Sequence, residues 1–252
     1  MAQIPGDKRR AVEPYLKFVR LLDSDVDLDT RVAHILTEYA REDFEELSET
    51  LRDLDVRVGF SVPAIHPDTR ESLRPVLAQL VEDGHEILLH GYRHTSFMNT
   101  SYGTAHDELA RASDILESIT GETPVGFHVP YARASAGTLE AASELGVEWV
   151  VGARTDSDAD DDLAVVQPNR PYDIQLLEGD GEPETAFERL GENADESSLL
   201  LCHPNVHVHH DAGDAFAEWL DGQSVTSPGA LAGGTGEGPA LLLDCFPPFQ
   251  VE

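Results

Sequence analysis

The chain has 252 residues, 40% of them hydrophobic, so it is long enough to bury the core of a single α/β domain. Its 48 acidic and 17 basic residues give a formal net charge of −31, which opposes binding to nucleic acid or to an anionic membrane because phosphate contacts need Lys and Arg. No run reaches the roughly 18 apolar residues of a membrane span, and the N-terminus lacks the apolar centre of a signal peptide, so we expect a cytoplasmic protein of undetermined oligomeric state.

The first fifty residues allow two interpretations. Residues 15–22 fit either a strand that runs into the acidic segment 23–27 or a short helix. Apolar positions between residues 32 and 54 suit one long helix, but residues 31–39 also suit a strand followed by a helix from Ala40. Hydrophobic periodicity leaves these alternatives open.

From residue 56 onward, short β-prone runs alternate with helical patterns, which is typical of βα units around a parallel sheet. The predicted strands are 56–64, 86–89, 125–129, 147–151, 173–178, 199–202 and 241–245. The predicted helices are 67–83, 104–120, 136–145, 184–190 and 212–220, with loops at 153–162 and 228–239. The alternation predicts one α/β domain over residues 1–252, a distorted (β/α) barrel.

The most informative segment is residues 84–97, where a predicted strand delivers His90 and His94 to its C-terminal end. Active sites of parallel barrels are built at that end of the strands. Two imidazoles four residues apart meet if the backbone turns helically between them, and they suit a borderline ion such as zinc. The alternative is a pair of loop histidines without a ligand role.

Three motifs resemble the polysaccharide deacetylase family, carbohydrate esterase family 4. His90-Gly-Tyr-Arg-His94 is similar to its second motif, His-Ser/Thr-x-x-His, with Gly91 in place of Ser or Thr. His128-Val-Pro-Tyr131 is similar to its third motif, Arg-x-Pro-Phe/Tyr, and Leu200-Leu-Cys-His203 to its fifth, Leu-x-x-His. No clear Asp-Trp pair of the fourth motif is present, and Trp149 is predicted to lie in the core. The resemblance is strongest over residues 56–220 and implies a barrel of the deacetylase type.

The family's first motif supplies one Asp as general base and a second as metal ligand. Asp25-Val-Asp27 fits a spaced form of this motif, which would make Asp25 the base and Asp27 the ligand. In the other register, residues 35–39 form the first strand and no Asp occupies the motif; Glu38 would then be the nearest carboxylate.

The resemblance implies a metal-dependent hydrolase of non-peptide carbon–nitrogen amide bonds, a deacetylase of N-acetylated sugars. A divalent cation of the zinc type would lie on Asp27, His90 and His94. The resemblance also implies that Asp25 would accept a proton from water and that the backbone N–H of Tyr131 would stabilise the oxyanion. His203 would protonate the leaving nitrogen, and His128 would replace the Arg that braces the base in the family.

Two other functions remain open at this point. A catalytically silent relative could serve as a binding or regulatory module, because the first motif and His128 depart from the family pattern. The second of these functions is hydrolysis of small non-sugar amides or cyclic imides. The lack of an apparent secretion signal favours it, because polymeric wall substrates lie outside the cell. His203 could also be one member of a His-rich loop, whose His207, His209 and His210 are predicted to be solvated.

The distribution of charge and of cysteines completes the sequence evidence. The acidic excess extends through every segment and only two basic residues are lysines, a pattern that indicates adaptation to high salt. Cys202 and Cys245 lie in apolar runs and are predicted to be buried thiols, so any metal must be held by His and carboxylates.

Overall fold

The computed structural model describes residues 44–153, 163–177, 182–192 and 194–245. Asp25, Asp27, Glu38 and the alternatives for residues 15–40 lie outside these ranges, so they stay predictions. The first described element is helix α1, residues 44–53, which buries Phe44 and Leu51.

Seven parallel strands form one nearly closed barrel. In the sheet they follow the order β5-β4-β3-β2-β1-β7-β6, so β7 lies between β1 and β6. Past β5, Asn169 donates its backbone N–H to the Leu199 carbonyl at 2.8 Å, which links the two ends of the sheet. The strands are β1 Gly59–Val62, β2 Glu86–Leu89, β3 Gly126–His128, β4 Trp149–Val151, β5 Ala164–Val166, β6 Leu199–Cys202 and β7 Ala240–Asp244.

Helices surround this sheet and begin or end at residues suited to the position. Ser101 and Ser135 accept backbone N–H groups at the starts of α4 and α5, and Gly121 ends α4 with φ 78°. The helices after α1 are α2 Ile65–Thr69, α3 Arg74–Glu82, α4 Tyr102–Thr120, α5 Ala136–Glu144, α6 Asp173–Leu177, α7 Pro183–Gly191, α8 Pro204–His209, α9 Gly213–Asp221 and α10 Pro228–Ala232. No described helix is both long enough and apolar enough to span a membrane.

The structure corrects several predicted elements. The strand predicted at 173–178 is wrong, because helix α6 occupies Asp173–Leu177. A helix lets the adjacent Leu176 and Leu177 both be buried, whereas a strand would send them to opposite faces. The predicted helix 67–83 is broken by extended backbone at Arg70. Strand β5 and the short helices α8 and α10 were not predicted.

Two apolar layers line the sheet and explain where the polar residues lie. One cluster, which includes Leu88, Trp149 and Leu242, is formed by alternate residues of the strands and confirms the core role of Trp149. The other, which includes Phe60 and Phe127, packs beneath the helices. Because side chains alternate along a strand, the next residues on the first face are polar and lie at the carboxyl ends of the strands. They are His90, His128, His203 and Asp244, and all four are buried.

Candidate active site

Four strand ends place the polar residues at one rim of the barrel. His90 follows β2, His128 ends β3, His203 follows β6 and Asp244 ends β7. Carboxyl ends of parallel strands meet at the same mouth of a barrel, so these side chains converge there.

A left-handed turn at Gly91 brings His94 back to this rim. Gly91 has φ +76°, and a Cβ built on it would lie 3.0 Å from the carbonyl oxygen of Arg93. A Ser or Thr here would be strained, both by the positive φ and by this close contact, so the backbone of this turn suits glycine. The His90 and His94 rings lie 4.5 Å apart between centroids, at an interplanar angle of 65°.

One carboxylate lies at the centre of the histidines. Asp244 Oδ1 is 3.2 Å from His90 Nε2, and Asp244 Oδ2 is 3.9 Å from His94 Nε2. His203 Nε2 approaches the same Oδ2 to 3.8 Å. Among the described residues, Asp244 is thus a carboxylate shared by three imidazoles.

The contact between the His90 ring and Asp244 lacks a hydrogen bond. His90 Nδ1–H donates to the carbonyl oxygen of His128 at 2.7 Å, which leaves Nε2 with a lone pair. Both His90 Nε2 and Asp244 Oδ1 are buried without a hydrogen-bond partner among the described residues. Two acceptors facing each other across 3.2 Å are costly when buried unless a cation lies between them. The donor set of imidazole and carboxylate therefore fits a divalent ion.

Ligand atoms of His90, His128 and Asp244 all lie within 4.8 Å of one another. Burial and the neighbouring His90 lower the pKa of His94 and, more strongly, the pKa of His128. Burial would raise the pKa of Asp244, but its interactions with His90 and His94 hold this pKa well below the usual range. Neutral His94 and His128 beside an ionised Asp244 are in the protonation states that metal binding requires.

A second buried carboxylate orients His203. His203 Nδ1–H donates to Asp173 Oδ1 at 2.7 Å, and Asp173 also accepts the backbone N–H of His203. Burial would lower the pKa of His203, but the charge of Asp173 and this hydrogen bond raise it to about 9. The dyad therefore keeps His203 protonated at neutral pH, with Nε2 directed toward Asp244.

The predicted solvation of His207 is wrong. Its side chain is buried, and Nε2–H donates to Asp173 Oδ2 at 2.8 Å. The ring packs against Phe187 and Phe216, with centroids 5.0 and 4.7 Å away. His207 lies one turn after His203 on α8, so the helix brings both imidazoles onto the same carboxylate.

The structure brings together most of the residues singled out from the sequence. His90, His94, His128 and His203 surround one point, and the exposed Tyr131 packs its ring 4.8 Å from that of His94. Tyr131 itself has φ 60° in the turn Pro130–Ala132 that follows β3.

Sequence reasoning missed two carboxylates of this site. Asp244 ends a strand that was predicted, and the rule that strand ends meet at one rim would have selected it. Asp173 was placed inside a strand, and its proximity to His203 depends on packing between distant elements. The buried, unpaired state of Cys202 and Cys245 agrees with their prediction as core thiols.

Comparison with known proteins supports the family indicated by the motifs. A sequence profile described as polysaccharide deacetylase matches residues 33–150, which include His90, His94 and His128. No curated protein sequence matches the chain significantly.

Solved structures share the fold at low sequence identity. A family 4 carbohydrate esterase from Streptomyces lividans, in complex with acetate, is 16% identical with a TM-score of 0.56, covering 79% of this chain and 91% of that one. A family 4 acetyl xylan esterase from Clostridium thermocellum, in complex with a cobalt ion, is 16% identical with a TM-score of 0.54, covering 80% of this chain and 82% of that one. A family 4 pseudoenzyme from Bacillus anthracis is 15% identical with a TM-score of 0.57, covering 82% of this chain and 66% of that one. The profile match supports a polysaccharide deacetylase domain over residues 33–150, and the solved structures share the barrel fold.

Proposed function

We propose that the chain is a metal-dependent hydrolase of non-peptide amide bonds that removes acetyl groups from N-acetylated sugars. The observation that carries this proposal is the pair His90 Nε2 and Asp244 Oδ1, 3.2 Å apart and without hydrogen bonds. The cobalt ion bound by the Clostridium thermocellum esterase is consistent with it. We further propose a zinc-type ion, a cytoplasmic location and a soluble carbohydrate or other small molecule as substrate.

His90, His94 and Asp244 would hold the ion, which when bound would polarise an amide carbonyl and acidify water. His203, kept protonated by Asp173, would donate a proton from Nε2 to the departing nitrogen. The backbone N–H of Tyr131 would stabilise the oxyanion. Asp25 as proton acceptor and Asp27 as a further ligand stay predictions from the sequence.

The direct test is hydrolysis by the zinc-loaded protein. We expect acetate release from N-acetylated sugars, loss of release after chelation, and recovery on adding zinc. His203→Gln should lower kcat by about 10²–10⁴-fold while leaving the zinc content unchanged, because an acid is lost but no ligand. Release of ammonia from small amides or cyclic imides instead would transfer the proposal to those substrates.

A catalytically silent binding module is the second candidate. It is favoured by His128 at the position of the family's Arg and by the existence of a pseudoenzyme with this fold. Asp25→Asn separates the two possibilities, because it should abolish hydrolysis and spare zinc content if Asp25 is the base. A wild-type protein that binds zinc but hydrolyses none of the three substrate classes would establish the silent module.

A further inference from the structure

We propose that His128 is itself a ligand of the divalent ion, so that the position of the family's bracing Arg has become part of the metal centre. This inference rests on the proposed function and adds a third imidazole to its ligand set. It begins from the grouping of His128 with His90 and Asp244, whose ligand atoms lie within 4.8 Å of one another.

Hydrogen bonds leave one nitrogen of His128 available. Its Nδ1 lies 3.0 Å from Ser61 Oγ, and the Ser61 hydroxyl lies 3.5 Å from the carbonyl oxygen of Leu243, to which it donates. With the hydroxyl proton directed to that carbonyl, Ser61 Oγ accepts from His128 Nδ1–H. Nε2 then carries the lone pair, which is the form of imidazole that binds a metal.

Neighbouring strands stack the two rings on each other. His90 and His128 occupy the ends of β2 and β3, and the His90 ring donates to the His128 backbone at 2.7 Å. Their centroids are 4.5 Å apart and their planes differ by 13°. Bonds of about 2.0–2.2 Å to one ion allow ligand atoms up to about 4.4 Å apart, close to the 4.8 Å within which the ligand atoms of this group lie. Because an imidazole lone pair lies in the ring plane, one of the two stacked rings would turn to direct its Nε2 at the shared ion.

An Arg cannot have this role, because a guanidinium is always protonated and has no lone pair to offer. Replacing it by His therefore changes the site from a charged brace to an additional nitrogen donor. A nitrogen-rich set favours borderline ions such as Zn²⁺ and Co²⁺ over Mg²⁺.

The test is metal affinity of the metal-free protein, measured by chelator competition for Zn²⁺ and by visible absorption for Co²⁺. His128→Asn keeps a donor near the Nδ1 position but has no group at Nε2, and His128→Arg restores the family residue. We expect each to weaken Zn²⁺ and Co²⁺ binding at least about tenfold and to change the Co²⁺ ligand-field bands. His90→Ala is the positive control, and His106→Ala, on α4, is the negative one.

Affinity within twofold of wild type and an unaltered Co²⁺ spectrum in His128→Asn would overturn the inference, provided that His90→Ala loses the metal. If His90→Ala also keeps the metal, the metal centre of the proposed function is overturned with it. Should His128→Asn fail to fold, His128→Arg decides by the same criteria.

Discussion

At the scale of single residues, the two buried aspartates of the site differ in how their histidine partners face them. Asp244 faces the Nε2 lone pair of His90, which can be offered to a cation, whereas Asp173 faces histidines that donate protons to it. The difference comes from the partners of each imidazole. His90 uses its Nδ1–H on a backbone carbonyl, but His203 and His207 direct their N–H groups at the carboxylate.

Asp173→Asn should lower the free energy of unfolding by about 2–4 kcal/mol, because an amide cannot accept at both ends and leaves buried donors unpaired. Asp173 is only 1% exposed. Urea unfolding at pH 7 measures the effect, and Asp114→Asn on the exposed face of α4 is the matched control, expected to leave the midpoint in place. Equal stabilities of the two variants would contradict a structural role for the Asp173 hydrogen bonds.

The residues of the site were predictable where chemistry follows short spacing in the chain. Motifs a few residues long contain all four histidines that the structure brings together, which are His90, His94, His128 and His203. Asp244 was missed because carboxylates were sought in the first fifty residues, although the strand predicted at 241–245 contained it. Nothing local in the sequence indicates that β7 inserts between β1 and β6, since strand order depends on packing across the whole barrel.

At the scale of elements, prediction succeeded where length and periodicity were unambiguous. Helix α4 ends at its predicted glycine, and β2 and β6 have the predicted bounds. Short elements were not predicted, because the three residues of β5 and the five of α10 are too few to show a hydrophobic period. The barrel followed from the alternation of elements, and not from any one of them.

The junction of α3 and β2 gives a pH-dependent prediction. His85 is 4% exposed, accepts the Val58 backbone N–H at Nδ1, and has its pKa lowered to about 4, chiefly by burial. Between pH 6.5 and 4, His85 binds a proton in the unfolded chain but not in the folded protein. Its contribution to the free energy of unfolding is therefore fully present above pH 6.5 and is lost as the pH falls toward 4. The loss should reach up to about 3 kcal/mol.

The comparison that isolates His85 is the variant His85→Asn, which keeps an acceptor near Nδ1 but does not titrate. Denaturant unfolding of both proteins from pH 8 to 4 should give a stability difference that moves in favour of the variant as pH falls. A difference that stays constant with pH would show that His85 does not couple folding to protonation.

At the scale of the whole molecule, charge is the dominant property. The formal charge of −31 is carried by a chain of 252 residues, and the exposed ion pairs of Arg52 with Asp83 and Arg57 with Asp55 offset little of it. Like charges spread over one surface oppose the compact state through mutual repulsion. The folded chain should therefore depend on counterions for much of its stability.

Raising sodium or potassium chloride from about 0.1 M to 1 M should raise the thermal unfolding midpoint, because the Debye length falls from about 10 Å to about 3 Å and screens this repulsion. Scanning calorimetry over this range measures the shift, and sucrose at matched osmotic strength separates screening from general exclusion of cosolutes. Both chloride salts should act alike, since screening depends on ionic strength and not on the cation. A midpoint that stays constant or falls with salt would mean that the acidic surface costs little stability, and adaptation to high salt would lose its physical basis.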